Sequence, residues 1–212
     1  MNSFRAVRGL LAAGALSVVA VLGVSTPASA TPPNIPDKTT AVNELNGLRV
    51  QPDGSSAGYS RDKFKHWITI EGSCNTREMV LKRDGTNVQT DSSCAAKSGT
   101  WYSPYDGSTQ TSASAIQIDH MVPLADAWRT GASGWTAQRR QDFANDLSYP
   151  QLVAVKGAVN ESKGDKSPDL WKPPLTSYWC TYAKMWTHVK SKYSLTVNSA
   201  EKSALQDMLG RC

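Results

Sequence analysis

The stretch Gln117-Ile118-Asp119-His120-Met121-Val122-Pro123 sets an acid beside an imidazole at the end of an alternating run that begins at Ala115. A carboxylate can hold a divalent cation, and a histidine with the ordinary pKa of about 6.5 can move a proton near neutral pH. Neighbouring strand residues point to opposite faces, so Asp119 and His120 serve one site only where the strand bends. Met121-Val122-Pro123 is the expected bend. Further along, Asn160 stands in "KGAVNESKGD". A carboxylate oxygen and an amide oxygen are hard ligands suited to Mg²⁺, which takes octahedral oxygen coordination and keeps several waters. Each residue also has a plain structural reading: Asp-His as a hydrogen-bonded turn, Asn160 as a helix cap.

The elements that must position these residues can be read from the surrounding pattern. A strand ends in Asp119-His120, "QLVAV" is a compact apolar run that returns as a second strand, and Gly157 turns the chain into a short helix from Ala158 to Lys163. Before them, a helix runs from Thr39-Thr40 to Gly47, and Asn75 with Glu78 opens a helix that ends at Gly85. The Gly, Ser, Thr and Tyr texture between Thr86 and Ile118 predicts hairpins and loops. Helical stretches are expected near Leu124–Arg129 and from Thr136 to Asn145. Tyr178, Tyr182, Met185, Trp186 and Val189 recur at helical spacing, and a last helix is capped near Asn198 and stops at Gly210.

Residues 1–30 have the layout of a secretory signal, with Arg5 and Arg8, an uncharged run from Gly9 to Val24, and Ala28-Ser29-Ala30 as the cleavage site. Residues 31–38 read as a flexible lead-in and 39–212 as one domain. Losing the leader removes two arginines and no acids from a net charge of +5. The small remaining basic excess permits an anionic partner without demonstrating one. No membrane segment is expected after cleavage, and the mature chain is expected to be a monomer. All four cysteines lie in the exported part, where disulfides form. Three pairings are open. Cys74–Cys94 and Cys180–Cys212 are favoured because each closes a local loop, stabilising by roughly 3 kcal/mol apiece. Zinc is disfavoured, since no CxxC or HxxxH spacing occurs.

The words "DHMVPLADAWRTGA", "RRQDFANDL", "LVAVKGAVNESKGDKSP" and "LWKPP", in this order, resemble the HNH or ββα-metal nucleases. They are most similar to the secreted bacterial HNH endonucleases related to the nuclease domain of GmrSD restriction enzymes, and "WCTYAKMW" with the C-terminal Cys extends the likeness. The resemblance implies an α+β fold, with a ββα-metal motif embedded in a mostly helical domain. It implies that His120 is the general base, that Asp119 and Asn160 ligate one divalent metal, Mg²⁺ first with Mn²⁺ or another divalent ion as substitutes, and that the reaction is phosphodiester hydrolysis. Activity should then rise with pH through an ordinary histidine titration. The central Asn of the HNH name is replaced here by Gln151, with Asn145 as the other candidate to brace the histidine loop. Lys163, Arg129 and Arg140 are candidate phosphate contacts, whereas Arg139 and Arg140 are adjacent and cannot both face one groove. Glu161 is placed to orient metal-bound water. DNA is the expected partner, with RNA the other nucleic acid, and little sequence specificity is expected.

The rival readings lack context. "GSSAG" around Ser56 matches a nucleophile motif but sits in a polar loop without the required strand and helix. A non-catalytic module binding nucleic acid or glycan through its seven tryptophans is the alternative, although Trp179 and Trp186 read as core. His66 and His188 match no motif and are read as structural or surface residues.

Overall fold

The strand that ends at His120 is one half of a two-stranded antiparallel ribbon. The computed structural model describes Met1 and residues 31–212; the expected leader otherwise lies outside the described residues. In chain order the elements are α1 (Lys38–Gly47), β1 (Thr69–Glu71), β2 (Cys74–Asn75), α2 (Thr76–Asp84), β3 (Gly85–Thr90), β4 (Ala96–Tyr102), β5 (Thr109–Gln110), β6 (Ile116–His120), α3 (Leu124–Arg129), α4 (Ala137–Ala144), β7 (Leu152–Lys156), α5 (Gly157–Lys163), α6 (Trp179–Tyr193) and α7 (Ser199–Gly210). A 3-10 turn, Arg61–Phe64, precedes β1. The fold is α+β, with helices and, among the described residues, three small sheets ordered β1-β2, β3-β4-β5 and β6-β7.

The local signals explain the helix ends. Asn75 accepts from the Glu78 N–H while the Glu78 side chain accepts from the Asn75 N–H, a reciprocal cap that opens α2. Asn198 caps α7 through the Glu201 N–H, and Asp37, rather than the threonines after it, caps α1 through the Thr40 N–H. Ile35 packs on the core and the Asn34 amide donates to the Ser148 carbonyl, so this Pro-rich segment has partners that its composition does not announce.

β7 is apolar from Leu152 to Val155 because it separates two cores. Side chains alternate between strand faces, so Leu152 and Ala154 join Val80, Leu81, Trp101, Ile116 and Ile118 on one side, while Val153 and Val155 join the main helical core on the other. The register pairs Ile118 with Ala154, Asp119 with Val153 and His120 with Leu152. Both expected disulfides are present, Cys74–Cys94 tying β2 to the β3–β4 turn and Cys180–Cys212 tying α6 to the end of the chain. Trp186 is fully buried and Trp179 packs on the core.

Candidate active site

Asp119 and Gln117 share one face of β6, and His120 shares the other with Ile116 and Ile118, as period-two alternation requires. One open cavity of about 240 Å³ nonetheless reaches both faces at the strand end. It is lined by Asp119, His120, Pro123, Asn160, Glu161 and Arg61, among others.

Helix α5 lies along the Gln117 and Asp119 face. Three helical residues rise about 4.5 Å and two strand residues about 6.6 Å, so positions three apart on the helix meet positions two apart on the strand. Asn160 Nδ2 donates to Gln117 Oε1 at 2.8 Å, and Lys163 Nζ donates to both Asp119 oxygens at 2.8 Å. Tyr105 donates its hydroxyl to Asp119 Oδ2, and Gln117 Nε2 donates to Glu161. Burial pushes the Asp119 carboxyl up from its usual range, opposed by Lys163 and Tyr105. Lys163, expected at a substrate phosphate, is instead sealed from solvent. It also donates to the carbonyls of His120 and Met121, because a buried ammonium needs acceptors for its three hydrogens.

His120 is held from the opposite side. Its Nε2 lies 2.9 Å from the Ala144 carbonyl at the end of α4, and a carbonyl can only accept, so Nε2 carries the proton and Nδ1 keeps the lone pair. Nδ1 has no partner among the described residues and is not sealed from solvent, so it opens to the cavity. Burial pulls the pKa of His120 down to about 3, with neighbouring cations lowering it further and the Ala144 contact opposing. The ring is therefore neutral throughout the pH range in which activity would be measured, and the expected titration near 6.5 is not its own. The Trp67 indole stacks on it, with centroids 5.3 Å apart and planes 25° apart, and His66 meets it edge-on at 6.5 Å.

The two candidate braces do different work. Gln151 Nε2 donates to the Val122 carbonyl and Gln151 Oε1 accepts from the Val122 N–H, while its own carbonyl accepts from the Met121 N–H, so it holds the bend after His120. Asn145 does not touch that bend. Its amide donates to the Lys65 carbonyl and accepts from the Ile68 N–H and the Thr76 hydroxyl, clamping the loop that carries His66 and Trp67. Arg129 is paired with Asp165 at 2.8 Å and lies 3.6 Å from Asp53, and Arg140 donates to the carbonyls of Lys63, Ala132 and Trp135. Both are thus committed within the protein. Arg139 likewise donates to the Tyr193 carbonyl, and His188 pairs with Glu44.

Around the cavity the hard donors suited to a cation are oxygens, with the His120 Nδ1 lone pair beside them. Asp119 Oδ1 accepts one hydrogen bond and keeps a second lone pair, and Asn160 Oδ1 accepts none among the described residues. That pair fits an ion content with one or two protein ligands and several waters, as Mg²⁺ is. Among the described residues no group of three or more His, Cys, Asp or Glu side chains is placed to hold a metal, which disfavours a closed site of the zinc type.

Residues 76–208, more than half of the chain, match the GmrSD restriction endonuclease C-terminal domain. The chain belongs to that family. The family match spans every residue from α2 through most of α7, including Asp119, His120 and Asn160. This GmrSD-type chain is also 63% identical over 197 residues to an uncharacterized secreted protein of the fungus Arthroderma benhamiae, covering 93% of this chain and 96% of the relative. The bacterial part of the expected resemblance is therefore not supported. No solved structure matches.

Tyr105, Arg61, His66 and Trp67 are the site neighbours that sequence reasoning missed. "YSRDKFKHW" offered a cluster of suitable types, but no spacing rule links it to a strand end some fifty residues later.

Proposed function

We propose that this chain is a secreted HNH-type endonuclease that hydrolyses nucleic-acid phosphodiester bonds with little sequence specificity. The observation that carries the reading is a neutral His120 whose Nδ1 opens into the same cavity as Asp119 and Asn160. His120 takes a proton from water as the water oxygen attacks phosphorus. The bond from phosphorus to the leaving oxygen breaks, and that oxygen is protonated by solvent. The Ala144 carbonyl keeps His120 in the productive tautomer and stabilises the positive ring that results. Lys163 and Tyr105 hold the Asp119 carboxylate in one orientation, and Gln117 does the same for Asn160. Asp119 and Asn160 would hold one divalent ion, Mg²⁺ or Mn²⁺, which when bound supplies positive charge to the phosphate and the leaving oxygen. Secretion is supported by the two disulfides and by the name of the fungal relative, and no helix among the described residues is long and apolar enough to cross a membrane.

The test is incubation of the mature protein with plasmid DNA and single-stranded RNA, with Mg²⁺ or Mn²⁺ and with EDTA. Cleavage that requires the ion and is lost in His120→Ala is the expected result. Nucleic acid that is retarded in a gel but stays intact with every divalent ion would make the protein a binding module instead.

A further inference from the structure

Arg61 lines the same cavity as Asp119, His120 and Asn160. Its Nε donates to His66 Nε2 at 3.2 Å, whereas its four Nη hydrogens are uncommitted among the described residues and no carboxylate pairs with it. The contrast with Arg129 and Arg140 is physical: those guanidinium groups are spent on Asp165 and on backbone carbonyls. A guanidinium pinned at Nε while its outer fork stays free is organised to receive a planar or tetrahedral oxyanion through two parallel hydrogen bonds.

The segment that aims Arg61 is costly to build. Lys65 and Trp67, on either side of His66, both have left-handed backbone, with φ of 39° and 60°. Neither is Gly, Asn or Asp, so each conformation is disfavoured and persists because the surroundings impose it. Asn145 imposes it, fastening the Lys65 carbonyl and the Ile68 N–H, and Trp67 is anchored by stacking on His120. His66 must be neutral to accept from Arg61. Burial and Arg61 itself hold its pKa below the usual histidine value, and its Nδ1 is sealed without a partner among the described residues. Strain at two residues and an unpartnered ring nitrogen are explained together if the segment exists to place one arginine.

We infer that Arg61 anchors a phosphate oxygen of the substrate and that His66 is the positioning residue that aims it. This rests on the nuclease reading for its substrate, although residues 61–67 precede the family match that begins at residue 76. A phosphodiester carries its charge on two non-bridging oxygens, and the pentacoordinate transition state gathers more there, so the contact acts in the ground state and more strongly in the transition state. Arg61 and the oxygen ligands then meet the phosphate within one cavity.

The experiment uses the full mature chain and its Arg61→Ala, Arg61→Lys, His66→Ala, His66→Gln and Arg61→Ala/His66→Ala variants. Cleavage of a labelled DNA duplex is followed with Mg²⁺, and binding is followed over a salt series in EDTA, where no cleavage occurs. Arg61 is exposed, so its replacement should leave folding intact. Expected for Arg61→Ala is a raised KM, a lowered kcat, a fall of about 10²-fold in kcat/KM, and a salt slope shallower by about one. Arg61→Lys should keep the slope and recover only part of the rate. His66→Ala should lose about tenfold, much of it restored in His66→Gln, whose amide oxygen can accept from Nε, and should lose nothing more in the Arg61→Ala background. Unchanged kinetics and salt slope in Arg61→Ala, in an enzyme that cleaves, would overturn the inference alone. Binding without cleavage, with the slope reduced in Arg61→Ala, would sink the nuclease reading and leave Arg61 at a phosphate. Neither binding nor cleavage by the wild type would overturn both, and additive losses would remove His66 from the scheme.

Discussion

At the residue scale, His120 and Lys163 each carry an expectation that separates roles. His120 is neutral because it is buried, not because the medium is neutral. Its ring should therefore stay in the Nε2–H form from pH 5 to 8, and nitrogen-detected NMR of the histidines is expected to find one ring that does not titrate in that window. A resonance assigned to His120 with an inflection near 6.5 would contradict the placement. Lys163 is sealed against Asp119, so removing it strands a buried carboxylate. Lys163→Met should lower the unfolding free energy by about 3 to 5 kcal/mol, measured by denaturant melting without substrate. A surface phosphate contact would have raised KM and left stability alone.

At the element scale, the site depends on short pieces held by amides. Asn145 is the joint between α4 and the Lys65–Ile68 loop, and its side chain serves four partners. In Asn145→Ala the Ile68 N–H loses its acceptor and the buried Thr76 hydroxyl keeps only the longer contact to the Ile68 carbonyl, and the expected cost is about 2 to 3 kcal/mol. Activity should fall beyond the loss of folded protein, because Trp67 and His66 are released. Equal activity per folded molecule would mean that the loop does not support the site. The limits of sequence reading are clear at this scale. Asn75 with Glu78 and Asn198 with Glu201 announce their helices because capping is local chemistry. Gln151 is recognisable as an amide at the start of the second strand, but whether it or Asn145 braces Val122 depends on which backbone lies within reach, and only packing decides that.

At the scale of the whole molecule, two buried ionisable groups should bend stability in opposite directions. His120 has a folded pKa of about 3 against an unfolded value of about 6.5. Its contribution is present above 6.5 and is lost as pH falls through that window. Glu201 lies with Asp126 around the single buried ammonium of Lys190, and burial raises its pKa to about 7. Its contribution is full below about 4.5 and is lost as pH rises towards 7. Tm measured from pH 4 to 8 should accordingly be lower at both ends from these groups, and Glu201→Gln should remove the fall that opposes His120, so that Tm climbs with pH between 4.5 and 6.5. A Glu201→Gln profile parallel to wild type would show that another group controls that limb.

What the sequence determined by itself was what is written in local chemistry and order. The strand, returning strand and helix that bear Asp119, His120 and Asn160 follow from alternation, a compact apolar run and a glycine turn, and the disulfides follow from short loop closure. The tertiary structure alone decided what each side chain faces. Lys163 reads as a candidate phosphate contact until β6 is laid beside α5 and Asp119 comes within 2.8 Å. Arg61 and His66 read as unremarked polar residues until Asn145, from a distant helix, folds their loop over His120. The reason is that hydrogen-bond partners and burial are set by distances in space, and between segments joined by long stretches of chain those distances leave no period in the sequence.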